Sequence, residues 1–276
     1  MSYNFETVKV EIADKVAKVI LNRPEKKNAM SPQMHRDMTA ALDQLRYDDD
    51  VKVLVITGAG NSFCAGMDLK GFFNELKGKD PAEYDRITRM ATEWRGRTMR
   101  YFPKPTIAMI NGFVFGGGFS VVEGCDLAIA ADEATFGLSE INFGMFPGGA
   151  VSKSLANTMH SRDALFYGMT GRTFNGKKAA EMKFVNYSVP HAQLEAETMT
   201  VAKEIAGKEL SALRATKDGY RFSLEMTWEA SMSYTAAKEQ EVFMAQKGGW
   251  LENGIGNFLK GDYKPGLGDQ GAAKKK

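Results

Sequence analysis

The sequence predicts an α/β fold with a largely parallel sheet, followed by a helical C-terminal region. Three observations carry this expectation. Short apolar runs alternate with amphipathic stretches along most of the chain, the pattern of strands joined by helical crossovers. The runs Val51–Thr57, Thr106–Ile110 and Leu127–Ala131 are apolar on both faces apart from Lys52, as strands covered on both sides by helices must be. Beyond about Ala192 no strand pattern returns, and the spacing stays helical to about Lys260.

In chain order, Val8–Ile12 alternates apolar and polar side chains and Val16–Leu21 follows after a three-residue break, which reads as a hairpin with one buried face. Ser31-Pro32 is a helix start, a capping hydroxyl followed by proline at the first helical position. Met34, Met38, Ala41, Leu42 and Leu45 keep helical spacing behind it and form a core stripe. Asn61–Asp68 reads as a loop, Leu69 onward as helical, and Asp80-Pro81 as the start of a charged amphipathic helix from Ala82 to Tyr101. Phe136–Ile141 and Val185–Val189 read as short strands, with helices at Val151–Thr158, Ser161–Met169 and Gly176–Met182 between them. The organisation expected is a core over residues 1–191, a helical appendage over 192–260 and a glycine-rich, lysine-ended tail over 261–276.

With 43% hydrophobic and 25% charged residues, the 276-residue chain has the composition of a globular protein able to bury a full core. A net charge of +2 leaves no basic footprint for nucleic acid. Cys64 and Cys125 are too few for a disulfide framework, and His35, His160 and His191 show no ligand spacing, so a reducing cytoplasm and no metal are expected. The opening residues lack the pattern of a signal peptide, and no run reaches the roughly 20 apolar residues of a membrane helix.

The stretch with the most chemical content is Asn111–Ser120. An apolar strand runs into Gly116, Gly117 and Gly118, where backbone can come close to a ligand. A helix beginning there leaves its first N–H groups without intrahelical partners, able to hold a phosphate or a developing oxyanion. The same glycines also suit a turn that packs a helix tightly on a sheet.

Three segments stand together: Cys64-Ala-Gly-Met-Asp-Leu69, Asn111-Gly-Phe-Val-Phe-Gly-Gly-Gly118 and Ser139-Glu-Ile-Asn-Phe-Gly-Met-Phe-Pro-Gly148. Their order and spacing resemble the crotonase (enoyl-CoA hydratase/isomerase) superfamily from about Val8 to Leu259. Phe115–Ser120 and Ala134–Ile141 look most like the hydroxycinnamoyl-CoA hydratase-lyase branch, which hydrates feruloyl- or coumaroyl-CoA and splits the product to a benzaldehyde and acetyl-CoA. The resemblance implies repeated ββα turns forming two nearly perpendicular sheets, with a helical C-terminal region for trimerisation. It implies a homotrimer or a hexamer built as a dimer of trimers, and no cofactor beyond the CoA thioester substrate.

The resemblance also implies site residues. Backbone N–H groups of Met67 and Gly117 match the two donors to the thioester oxygen, and loss of one such donor typically costs about 2.7–4 kcal/mol of transition-state stabilisation. Typical hydratases of the family use two glutamates. Here Glu140 matches the second, and Ser120 stands where the first would fall, which is the pattern of the hydratase-lyase branch. A serine hydroxyl is no base at neutral pH but can hold a water or a substrate hydroxyl. Glu123, one helical turn after Ser120, either substitutes for the missing glutamate or pairs with a neighbouring base. Asp68 is read as capping or beginning the following helix, with no chemical role. Phe72 and Ala236 fall where the branch has tyrosines that grip a phenolic hydroxyl, with Tyr234 close to the second position and Tyr84 or Tyr101 as other sources of a hydroxyl. Lys26, Lys27 and Ala29 match the nucleotide end of CoA. A plain enoyl-CoA hydratase or isomerase, and an RNA-binding homologue, are the competing readings.

Overall fold

The computed structural model describes residues 3–76 and 80–262, so the expected tail from 263 onward lies outside them. Two compact units divide at Lys208 and Glu209. The first holds both sheets. β1 (Val8–Ala13) and β2 (Val16–Leu21) form the expected antiparallel hairpin, turned by Asp14 and Lys15, both at positive φ. β2 then pairs in parallel with β3 (Val53–Gly58), and the order continues through β5 (Thr106–Ile110), β7 (Leu127–Ala131) and β10 (Tyr187–Val189), all parallel. Every residue of β3 and β5 is buried, which is why those runs carry no polar face.

A second sheet takes β4 (Ser62–Cys64), β6 (Phe113–Phe115), β8 (Thr135–Gly137) and β9 (Thr173–Asn175) in that order. β4, β6 and β8 are parallel, and β9 closes the sheet antiparallel. Three-residue strands leave almost no periodicity, so β4, β6 and β9 are not resolved from the surrounding loops in the sequence.

α1 (Pro32–Arg46) begins as expected, with the Ser31 hydroxyl accepting from Met34 N–H at 3.2 Å and the methionine–leucine stripe buried. The charged helix after Asp80 is shorter than its pattern. α2 (Pro81–Glu93) passes into a wider π-helical turn, Trp94–Thr98, and Leu69–Leu76 is also π-helical. α3 (Gly118–Gly124) starts at the triple glycine. α4 (Ala150–Thr158), α5 (Ser161–Thr170) and α6 (Gly176–Glu181) fall within a residue of expectation. α7 (His191–Ala206), expected in the appendage, buries Leu194, Thr198, Ala202 and Ala206 at fourfold spacing and packs on β2, β3, β5 and β7, so the sheet unit runs on to Lys208.

The second unit is helical. α8 (Leu210–Ser223) and α9 (Trp228–Gln246) lie antiparallel, with Ser211 bonded to Gln246 at one end and Ser223 to Ser231 at the other. No helix among the described residues is long and apolar enough to cross a membrane.

Candidate active site

Parallel strands end on the same edge of a sheet, and this topology assembles the site. The chain leaves β4 into Ala65–Met67, β6 into Gly116–Gly117 and β8 into Leu138–Glu140, and β6 lies between the other two. Residues far apart in sequence therefore meet at one carboxyl edge. A buried aromatic cluster fixes the layers beneath them. Phe119 of α3 packs edge-on to Phe136 of β8 with centroids 6.2 Å apart, and Phe136 stacks on Phe174 of β9 at 5.2 Å.

Gly66 adopts φ +89°, and a Cβ there would lie 2.8 Å from the Phe115 carbonyl and 3.4 Å from the Gly117 nitrogen. The Met67 loop thus rests directly on the β6–α3 turn. On its other side, Met30 N–H donates to Gly66 O at 2.8 Å and Asp68 N–H donates to Met30 O at 3.0 Å. This parallel bridge uses the groups flanking Met67, so the N–H of Met67 itself faces away from Met30. The N–H of Gly117 precedes the first turn of α3 and has no intrahelical acceptor. Among the described residues neither N–H has a hydrogen-bond partner.

Glu140 was expected on a strand. Instead β8 stops at Gly137, which lies under the Phe115 ring where a Cβ would come within 2.4 Å, and Ser139–Phe143 forms a 3₁₀ turn closed by Gly144 at φ +69°. The turn aims the Glu140 carboxylate at Gly116, with Oε1 only 2.9 Å from where a Cβ would stand. Oε2 is buried and has no hydrogen-bond partner. Burial pushes the Glu140 carboxyl above the ordinary carboxylate range, opposed only by its own backbone N–H. A desolvated carboxylate with a free oxygen is a strong base for its type.

Ser120 is fully buried, its hydroxyl donating to Gly117 O at 2.7 Å and accepting from Arg95 Nη1 at 3.2 Å. Its one proton is thereby engaged within the first turn of α3. Glu123 points elsewhere: it pairs with Arg100 and accepts from Asn157 Nδ2 at 3.0 Å. Asp68 caps its helix as expected, accepting from Gly71 N–H at 3.0 Å, and pairs with Arg23 at 2.9 Å.

The loop of Lys26, Lys27 and Ala29 is tied to the Met67 loop, since Ala65 N–H donates to Lys27 O and the Asn28 amide donates to Ala59 O and Ser62 O. Lys26 and Lys27 are exposed, Lys27 with its ammonium 4.2 Å from the Phe113 ring centre, and Ala29 O accepts from Arg23 at 2.6 Å. Phe72 is buried beside His35, Tyr84, Ile87 and Ala91, with Met67 packed against this cluster. Tyr234 and Ala236 lie on α9 in the second unit, Tyr234 packed on Phe222 and beside Lys238, Ala236 exposed.

Two residues escape the sequence reading. His35 is fully buried, its Nδ1 accepting from Trp94 Nε1 at 2.9 Å and its Nε2 without a partner. Burial, with a smaller contribution from Arg95, lowers its pKa to about 3, so the ring is neutral. Arg95 is one of five arginines between 86 and 100 and is alone among them in being buried against Gly117. Nothing in the local pattern separates it from its solvated neighbours. No group of three or more His, Cys, Asp or Glu among the described residues is placed to hold a metal.

The sequence matches the family model described as enoyl-CoA hydratase/isomerase over residues 11–259. It is 50% identical over 264 residues to a hydroxycinnamoyl-CoA hydratase-lyase of Pseudomonas fluorescens, covering 95% of this chain and 96% of that one. Solved enoyl-CoA hydratases from Bacillus anthracis and Mycobacterium smegmatis superpose with TM-scores of 0.83 and 0.84 at 27% and 26% identity. Each alignment covers 93% of this chain and 97% of the other. Agreement of that length in both sequence and fold has one consequence: the chain belongs to the enoyl-CoA hydratase/isomerase family, the crotonases.

Proposed function

We propose that the protein adds water to an aryl-propenoyl-CoA and then cleaves the 3-hydroxyacyl-CoA to an aromatic aldehyde and acetyl-CoA. The observation that carries the reading is a single buried carboxylate oxygen without a partner, Glu140 Oε2, on the same strand edge as the unpaired N–H groups of Met67 and Gly117. The half-identical hydroxycinnamoyl-CoA hydratase-lyase supports the choice of substrate class.

Glu140 takes a proton from water as the oxygen bonds to the β-carbon, and the electron pair of the double bond moves to the thioester oxygen, held by Met67 and Gly117. Glu140 returns the proton to the α-carbon. It then removes the proton of the new β-hydroxyl, the Cα–Cβ bond breaks to release the aldehyde, and the enolate of acetyl-CoA collects on the same two N–H groups. Protonation of that carbon by Glu140 completes the cycle. The steps use one base and one oxyanion site and call for no redox or metal chemistry. With its proton engaged, Ser120 supports the Gly117 backbone in this mechanism in place of carrying water. The pairing of Glu123 with Arg100 leaves Glu140 as the acid–base group, which favours cleavage over plain hydration.

In this reading Lys26, Lys27 and the Ala29 backbone receive the nucleotide end of CoA, and Phe72 lines the acyl end. A phenylalanine there offers no hydrogen bond to a 4-hydroxyl, so an aryl group bound beside it is selected by shape. The exposed apolar side chains Phe143, Met145, Phe146, Leu165, Phe166 and Met169, next to the Glu140 turn, suit burial in a homotrimer or a dimer of trimers, to be read by light scattering. Two buried cysteines, kept as thiols, suit the cytoplasm.

The test is product analysis with cinnamoyl-, 4-coumaroyl- and feruloyl-CoA. Aldehyde formed in step with acetyl-CoA, and lost in Glu140→Ala, is the expected result. Accumulation of 3-hydroxyacyl-CoA alone refutes cleavage and leaves a hydratase.

A further inference from the structure

We propose that Arg95 is an electrostatic positioning residue of the oxyanion site, its buried guanidinium holding the Gly117 turn and supplying the positive charge that the enolate oxygen neutralises. The proposal rests on the reading of Met67 and Gly117 as oxyanion donors.

Arg95 is 8% exposed. Its Nε donates to Ala91 O at 2.7 Å, and its Nη1 donates to Ser120 Oγ at 3.2 Å and, more loosely, to Gly117 O at 3.5 Å. All of these acceptors are neutral. No carboxylate among the described residues pairs with Arg95, although carboxylates pair with Arg86, Arg89, Arg97 and Arg100 in the same stretch. Its other close neighbours stay uncharged, since burial lowers His35 and raises the Cys64 thiol to about 11. Burial lowers Arg95 itself only to about 10, so it remains protonated at neutral pH. A buried cation left without a counter-charge is costly to the fold, and such a group persists where an anion forms beside it.

The place where that anion forms follows from Gly117. A Cβ on this residue would stand 2.8 Å from Arg95 Nη1 and 3.6 Å from Met67 Cγ. The guanidinium therefore sits behind the turn whose N–H faces the thioester oxygen. An oxygen about 3 Å from the Gly117 nitrogen, on the side away from the guanidinium, lies roughly 6–8 Å from Nη1. At an effective dielectric of about 20, a full charge at that range corresponds to roughly 20- to 100-fold in rate. The effect grows as charge moves onto the oxygen, so it falls on kcat and leaves KM nearly unchanged.

The experiment compares Arg95→Gln and Arg95→Lys with the parent, by kinetics and by ultraviolet difference spectra of cinnamoyl-CoA bound in the non-turning Glu140→Gln background. Polarisation of the thioester carbonyl shifts the absorption of the conjugated chain to the red. Expected are a roughly 20- to 100-fold loss of kcat in Arg95→Gln, near-parent activity in Arg95→Lys, and a red shift that shrinks in Glu140→Gln/Arg95→Gln and persists in Glu140→Gln/Arg95→Lys. Circular dichroism identifies a variant that has not folded, and the lysine variant then decides. Equal red shifts in all backgrounds, or equal losses of kcat in both variants, overturn the proposal for Arg95 alone. A wild-type protein that turns over no thioester, with no red shift in the parent background, overturns the proposed function and this inference with it.

Discussion

Replacing Gly116 by alanine probes the placement of the Glu140 carboxylate, the proposed base, through the backbone that faces it. Gly116 holds φ +45°, and an added Cβ would stand 2.9 Å from Glu140 Oε1. Two costs follow. A side chain in the left-handed region costs about 1–2 kcal/mol. In a chain of this size that lowers the melting temperature by about 2–8 °C, well within what a stable domain tolerates. Separately, the carboxylate must retreat by about 0.5 Å or rotate to restore ordinary contact, and misplacement on the order of 1 Å can cost a hundredfold in rate. Gly116→Ala is therefore expected to lower kcat about 10- to 100-fold while remaining folded. Gly248→Ala is the control, because Gly248 has φ +88° with nothing within 4 Å of the added carbon and lies in the second unit. It should lose stability and keep kcat. The assay is aldehyde release from a hydroxycinnamoyl-CoA, with thermal melts by circular dichroism. An unchanged kcat in Gly116→Ala, with stability lost, refutes the argument that this contact sets the position of Glu140. Unchanged stability in both variants refutes the strain argument.

Other expectations follow from charge and pairing. Burial raises the Glu140 pKa, so the acid limb of the parent's kcat/KM pH profile should lie above the ordinary carboxylate range, and a limb within that range contradicts the assignment of Glu140 as the base. The same shift is a stability statement: the buried carboxylate costs nothing while protonated and progressively more as pH rises through its folded pKa. Glu140→Gln should thus melt with the parent near pH 4 and above it at pH 7, and a gap that does not widen with pH contradicts this linkage. Glu123→Gln breaks the pairing with Arg100 and should lower the melting temperature with little change in kcat; a large loss of hydration would return Glu123 to the mechanism. Lys26→Ala combined with Lys27→Ala should raise KM for the CoA thioester, most strongly at low salt, and leave kcat unchanged.

Much of this molecule was legible in its sequence because the determining signals are local. Ser31-Pro32 announces α1, the apolar runs announce β3, β5 and β7, and the triple glycine announces the strand-to-helix turn that bears Gly117. The motifs around Met67, Gly117 and Glu140 named the family before any coordinates, since residue types at fixed spacing survive without knowledge of contacts. Tertiary structure alone decided the rest. The short strands β4, β6 and β9 have too few residues for periodicity and exist through their pairing, yet the parallel trio β4, β6 and β8 is what brings the three motifs to one edge. α7 reads as an appendage until its small residues are seen against the sheet. Ser120 and Glu123 differ in role because one hydroxyl finds Gly117 and Arg95 while one carboxylate finds Arg100. Arg95 is indistinguishable in sequence from the four arginines near it, and burial without a counter-charge, a property of packing in three dimensions, is what sets it apart.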